Sequence, residues 1–243
     1  KGNGLFLGHK DGHYEFVERN GTVCRKMDYD DIEYISYMVY DHSHYFYRKG
    51  EKSGILDSMY RELTPLIYDG IIRLEDGFAG SNSERLWALI DENGKQFTDF
   101  KYYQVYNYIR GGIRLAAKEI NGRRVFGLVG PDGTEISEFI YDNIETFSDT
   151  HLLVAIDKMH GLMDRKGKIT VEMIYTSLKK PDNHIIAELP YGRYGLIDVN
   201  GKELLPFKYQ GIRRIDNGFA QVVTDNKDAL VSLQTKKEHL FPT

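Results

Sequence analysis

The sequence predicts an all-β repeat protein, and three observations predict it. A short phrase recurs with anchors at positions 15, 54, 88, 127, 161, 195 and 229, in steps of 39, 34, 39, 34, 34 and 34 residues. Fourteen positions past six of these anchors stands a tyrosine: Tyr29, Tyr68, Tyr102, Tyr141, Tyr175 and Tyr209. Turn residues divide each unit into about four short runs, and no stretch sustains a helical period. A fixed period of this size is the signature of a repeat architecture.

Other columns repeat with the anchors. One past the anchor stand Phe16, Ile55, Leu89, Leu128, Leu162, Leu196 and Leu230; two past it stand Val17, Leu56, Ile90, Val129, Met163, Ile197 and Val231. Twelve past it the residues are Met27, Leu66, Phe100, Phe139, Met173, Phe207 and Phe241. Seventeen past it they are Ile32, Ile71, Val105, Ile144, Leu178 and Ile212. Fixed apolar columns are what a shared packing layer requires, because one such unit is too small to bury its own face.

Within a unit the order is strand, turn, strand, strand, strand. Gly195–Asp198 is a first strand and Lys202–Phe207 its return, joined by Asp198-Val199-Asn200-Gly201. Asp at the first turn position accepts from amides ahead of it, and Gly at the fourth supplies a positive φ. Gly94, Gly133 and Gly167 hold the same slot. Gln210–Ile215 is a third strand, Asp216-Asn217-Gly218 a break, and Phe219–Thr224 a fourth.

The phrase Tyr194-Gly195-Leu196-Ile197-Asp198-x-x-Gly201-Lys202, with Pro206-Phe207-Lys208-Tyr209-x-x-Ile212 and Gly218-Phe219-Ala220-x-Val222, resembles the bacterial WG repeat, also called the KWG repeat. The aromatic slot is filled by Trp87, Tyr14, Phe126 and Tyr194, and by His160, Ser53 and Asp228, so the copies are degenerate. The resemblance implies a non-catalytic bacterial interaction scaffold, and it brings no catalytic residue.

The chain opens on Gly4-Leu5-Phe6-Leu7, which reads as a fourth strand, and closes on Ala229-Leu230-Val231-Ser232 and Leu240-Phe241, which read as a first hairpin. The last unit is therefore expected to be completed by the N-terminal strand, with residues 4–8 beside 229–233. Closure of this kind removes open sheet edges and predicts one domain over residues 1–243: a closed β-propeller of about seven blades. Six blades and an open β-solenoid are the alternatives.

A net charge of −4 and a pI near 6.1 give no electrostatic footprint for nucleic acid. No apolar run reaches the length of a transmembrane helix. The one cysteine, Cys24, excludes an internal disulfide and is read as a small packing residue. The chain starts at Lys1, which leaves an upstream signal or domain open; a cell-envelope or exported location is favoured over the cytoplasm.

The polar candidates are few. The recurrent aspartates Asp57, Asp91, Asp164 and Asp198 read as turn caps, and the recurrent tyrosines as core residues whose hydroxyls bond backbone. His42 and His44 place two imidazoles on one side of an extended segment and begin a weak candidate metal site, with no third ligand nearby; no cofactor is expected. Three hairpin tips collect Arg48, Lys49, Lys52, Arg85, Lys118, Arg123 and Arg124 against few acids, either as a binding face or as solvated tips. Three function classes follow: a scaffold whose partner is another protein, a propeller binding a glycan or small ligand, and, remotely, an enzyme with a site in a central channel. A non-enzyme is expected, because no acid, base and nucleophile converge.

Overall fold

A computed structural model describes residues 5–11, 13–34, 44–110, 112–180 and 184–240. Its described residues form seven small antiparallel sheets, each with its strands in sequence order. Sheet I holds β1 (Leu5–Lys10), β2 (His13–Glu18) and β3 (Val23–Met27). Sheet II holds β4 (Asp31–Tyr34), β5 (His44–Lys49) and β6 (Lys52–Asp57). Sheet III holds β7 (Gly70–Leu74), β8 (Gly77–Ser81) and β9 (Trp87–Ile90). Sheet IV holds β10 (Gln104–Arg110), β11 (Ile113–Ile120) and β12 (Arg123–Val129). Sheet V has four strands, β13 (Asn143–Thr146), β14 (His151–Ile156), β15 (Met159–Asp164) and β16 (Ile169–Tyr175). Sheet VI likewise has β17 (Ser177–Lys179), β18 (Ile185–Leu189), β19 (Arg193–Ile197) and β20 (Glu203–Tyr209). Sheet VII has β21 (Gly211–Asp216), β22 (Phe219–Thr224), β23 (Lys227–Ser232) and β24 (Glu238–Leu240). The chain divides into two compact units, residues 1–108 and 109–243.

The fixed tyrosine spacing is a hairpin register. The residue before the anchor faces the tyrosine across the hairpin: Ser53 opposite Tyr68, Trp87 opposite Tyr102, Phe126 opposite Tyr141, His160 opposite Tyr175 and Tyr194 opposite Tyr209. All six recurrent tyrosines are buried. The turn is built as its residues dictate. Asp198 Oδ1 accepts from the amides of Asn200 and Lys202 at 2.9 Å each, and Asp91 and Asp164 repeat both bonds. The fourth turn position is left-handed at Gly94, Gly133, Gly167 and Gly201 (φ 78 to 85°).

The anchor glycine exists for close approach. A Cβ on Gly127 would lie 2.6 Å from the Phe139 ring, and one on Gly195 would lie 2.9 Å from the Phe207 ring. The column twelve residues on therefore lies across the anchor, and real Cβ atoms do not tolerate such distances.

Neighbouring sheets pack by a rule that the two apolar columns write. Leu128 of sheet IV lies in one core cluster with Met163 of sheet V; Leu162 of sheet V with Ile197 of sheet VI; Leu196 of sheet VI with Val231 of sheet VII. In the first unit, Phe16 joins Leu56, and Ile55 joins Ile90. Within each unit, the residue one past the anchor faces the following sheet, and the residue two past it faces the preceding one. Alternation of side chains across a strand makes this two-sided packing.

A column not read from the sequence decides where the fourth strand is regular. Ten past the anchor stand Thr64, Thr98 and Ser137, whose hydroxyls accept from the amides of Ile55 (2.8 Å), Leu89 (2.8 Å) and Leu128 (3.0 Å). A side chain thus takes the amide that a ladder bond would use, and the return segment is reduced to isolated bridges. Where Val171 and Leu205 fill this position, the continuous strands β16 and β20 form.

Two expectations are corrected. Each four-stranded sheet joins the third and fourth strands of one unit to the first hairpin of the next, so sheet VII is complete without the N-terminus. Both edges of β23 are taken, by β22 and β24, while β1 pairs with β2 from Leu5↔Glu18 to Lys10↔His13. The tight Asp225-Asn226 turn, with both φ positive, favours the pairing of β22 with β23. Gly4 lies outside the described residues. Cys24 is exposed on β3, its Sγ donating to the Phe16 carbonyl at 3.2 Å, rather than packed in the core.

Candidate functional site

The basic residues singled out in the sequence all lie at tips of the hairpins joining second and third strands. Arg48, Lys49 and Lys52 close β5–β6, Arg85 precedes β9, and Lys118, Arg123 and Arg124 flank the β11–β12 tip. That last tip is a two-residue turn with Asn121 and Gly122 left-handed (φ 53° and 75°), as an Asn-Gly hairpin requires.

The expected scarcity of acids does not hold. Lys49 pairs with Asp28, Lys52 with Asp69, Lys118 with Glu135, and Arg123 with both Asp142 and Asp157. Lys118 also lies 4.2 Å from the centre of the Phe139 ring. The hydrogen-bonded Asp28 carboxylate raises the Lys49 ammonium above its ordinary pKa, and Lys49 in turn holds Asp28 low. Arg48, Arg85 and Arg124 remain exposed.

A further recurrent position holds the tips in place. The residue after the repeat tyrosine accepts from the amide at the next tip: Asp30 from Gly50, Asp142 from Asp157 at 2.7 Å, and Gln210 from Asn226 at 2.8 Å. Each amide belongs to a residue with φ between 49° and 60°. The Asp157 amide, against a smaller opposing effect of burial and helped by Arg123, holds the Asp142 carboxyl below the ordinary carboxylate range.

The recurrent tyrosines Tyr29 and Tyr68 turn their hydroxyls to side chains rather than to backbone. Tyr29 donates to Glu62 and Tyr68 to Gln96 (3.1 Å), in each case eight residues past the next anchor. Tyr47, outside the recurrent column, donates to the Thr64 carbonyl at 2.8 Å. Burial, with Glu62 adding to it, pushes the Tyr29 and Tyr47 phenols well above their ordinary range, and burial alone raises Tyr68.

Of the two candidate metal-binding histidines, His42 lies outside the described residues. His44 packs edge-on to Phe78, with Nε2 2.9 Å from the Glu92 carbonyl oxygen and Nδ1 3.6 Å from the Glu92 carboxylate. Among the described residues no group of three His, Cys, Asp or Glu side chains is gathered as metal ligands. No helix among them is long and apolar enough to cross a membrane.

Stacked hairpin sheets of one sequence period, with variable tips on a fixed frame, define an all-β repeat protein. Two stretches, residues 126–149 and 194–227, match the model of the WG containing repeat, and this chain carries that repeat in degenerate form. No curated protein matches the chain. Among solved structures it is similar to the computationally designed Ika8 protein (12% identity, 100% of this chain and 87% of that one, TM-score 0.32). It is also similar to BamB from Moraxella catarrhalis (12%, 98% and 86%, TM-score 0.35) and to Hsv2p of Kluyveromyces lactis (9%, 98% and 93%, TM-score 0.34).

Proposed function

We propose that this chain is a non-catalytic scaffold that binds another protein through its hairpin tips. One observation carries the reading: the recurrent polar residues serve the frame. Aspartates bind their own turn amides, the recurrent tyrosines are buried, and Asp30, Asp142 and Gln210, each following a recurrent tyrosine, hold a neighbouring tip. What varies from unit to unit is the tips, which is where repeat proteins bind. Arg85 and Arg124 stand on two of them, exposed.

The same proposal takes the seven sheets as blades of one closed ring over residues 1–243. In the column facing the following sheet, only Leu230 of sheet VII is not fully buried; in the column facing the preceding sheet, only Val17 of sheet I is not. Closure face to face would cover both, without any exchange of strands. Cysteines placed singly on the Val17 face and the Leu230 face, in a Cys24→Ser background, are expected to cross-link within one chain. A folded protein in which no such pair joins is an open stack.

The binding reading is tested by photo-crosslinking from positions 85 and 124 in the native cell. One discrete protein adduct is expected, and it should disappear on charge reversal at Arg85 and Arg124. Adducts from neither tip, with saturable binding to a polysaccharide on a glycan array, would replace the protein partner by a glycan.

A further inference from the structure

A cleft of about 210 Å³ opens in the first unit, and its lining breaks the repeat. Asp31 and Glu33 on β4 and Arg48 on β5 are its charged groups; Phe46 and Ile71 supply apolar wall. In sheet II, Asp31 lies directly opposite Arg48, and Glu33 opposite Phe46. Directly opposed residues project to one face of a sheet, so the four side chains share a face. That is the face of Ile55, which packs on sheet III.

The equivalent row in other sheets carries no such charge pair. It is Gly70 opposite Ser81 in sheet III, Asn143 opposite Ala155 in sheet V, and Gly211 opposite Val223 in sheet VII; in sheet VI it is Ser177 opposite Glu188. Opposed Asp and Arg side chains ordinarily join. Here Asp31 instead accepts from the Tyr14 hydroxyl at 3.1 Å. Among the described residues neither Arg48 nor Glu33 makes an ion pair. Charges left unjoined in a partly apolar cleft, where sheets III, V, VI and VII place no opposed charge pair, mark a ligand site rather than a packing device.

We propose that this cleft binds a free α-amino acid with an apolar side chain. Asp31 and Glu33 stand two residues apart on one strand, about 7 Å along it, which leaves room for an ammonium between them. Arg48 offers a guanidinium fork for the carboxylate. Phe46 and Ile71 take the side chain, and the cleft is of the size of one amino acid. A single charge of either sign would leave one half of the site unanswered.

The probes are L-leucine, isoamylamine, which lacks the carboxylate, and isocaproate, which lacks the ammonium, each titrated calorimetrically into the whole chain. Leucine should bind saturably, and each of the other two about tenfold or more weaker, as loss of one charge-assisted hydrogen bond implies. Arg48→Gln should reduce leucine to the level of isoamylamine and leave isoamylamine unchanged. Glu33→Gln should weaken leucine and isoamylamine alike. Both residues are exposed at the mouth, and an unchanged circular dichroism melt verifies that each variant folds. No saturable leucine binding by the folded wild type overturns the proposal. So does leucine binding that neither substitution weakens, or isoamylamine bound as tightly as leucine. The tip residues Arg85 and Arg124 lie outside the cleft, so this outcome is independent of the scaffold reading.

Discussion

The ring of Phe139 occupies the space that a Cβ on Gly127 would need, 2.6 Å from its Cδ2 atom. These residues sit on facing arms of one hairpin, twelve positions apart, and Phe207 covers Gly195 in the same way. The aromatic ring and the missing side chain are one feature, not two.

Gly127→Ala should therefore cost about 1–3 kcal/mol, the range of overpacking in a tight core. Phe139→Leu should cost less alone and should recover part of the loss when combined with Gly127→Ala. Urea denaturation of the two single variants and the double variant measures the coupling. Simple additivity would show that the two residues do not share this space.

The turn glycines should separate by their surroundings. All hold positive φ, which alone costs an Ala about 1 kcal/mol or more. A Cβ on Gly167 would also meet the Ile136 carbonyl oxygen at 2.3 Å, whereas one on Gly201 would meet the Thr170 carbonyl oxygen at 3.4 Å. Gly167→Ala should lower the melting temperature clearly more than Gly201→Ala. Equal shifts would mean that the turn conformation, and not its seat on the preceding sheet, decides the cost.

Alkaline stability follows from the buried phenols. Burial raises Tyr29, Tyr47, Tyr60, Tyr68, Tyr141, Tyr175 and Tyr209 above the ordinary value, the first three strongly, with Glu62 adding to it at Tyr29 and Tyr47 and Tyr45 at Tyr60. A folded-state pKa above the unfolded one gives stability that is present below pH 10 or so and lost as pH rises. Phenolate absorbance should appear in two phases. Exposed tyrosines ionise first, and the buried set only as the circular dichroism signal collapses. A single phase with the fold intact would contradict the burial.

The acid side has the opposite sign. The Asp157 amide and Arg123 lower Asp142. At Asp57 burial opposes ionisation, but the Arg61 amide and guanidinium and the Met59 amide outweigh it. Depressed folded values give stability present above about pH 4 and lost as pH falls below it. Asp142→Ala should cost about 1 kcal/mol at neutral pH, a typical hydrogen bond, and much less at pH near 2. Urea midpoints at the two pH values check this; an equal cost at both would remove the carboxylate from the explanation.

The period, the strand order within a unit and the turn chemistry were legible because each is local. Asp198 to Gly201 contains its own partners, and the distance from Tyr194 to Tyr209 is a register in disguise. Sheet membership was not legible. Two phases of the same strand series both give four strands, and only the pairing of β22 with β23 chooses between them. The hydroxyls of Thr64, Thr98 and Ser137 look like ordinary strand residues until the amides they bind are seen. The basic tips were found, but their acids were not, because Lys118 and Glu135 lie seventeen residues apart and meet only across strands. The repeat did contain a signal for the cleft: Asp31 stands at a position that holds Gly70, Gln104, Asn143, Ser177 and Gly211 in the other units, none of them charged.

The sequential order of strands has a consequence for synthesis. Every sheet closes its hydrogen bonds between segments adjacent in the chain, so none waits for a distant partner. A ribosome delivering the polypeptide from its N-terminus can finish one sheet before the following sheet has been translated. In each such intermediate the newest sheet leaves the same side bare, the side of Ile55, Leu128, Leu162 or Leu196 in turn. The nascent chain thus presents its surroundings with one recurring sticky surface, moved forward a unit at a time and covered by the next product of translation.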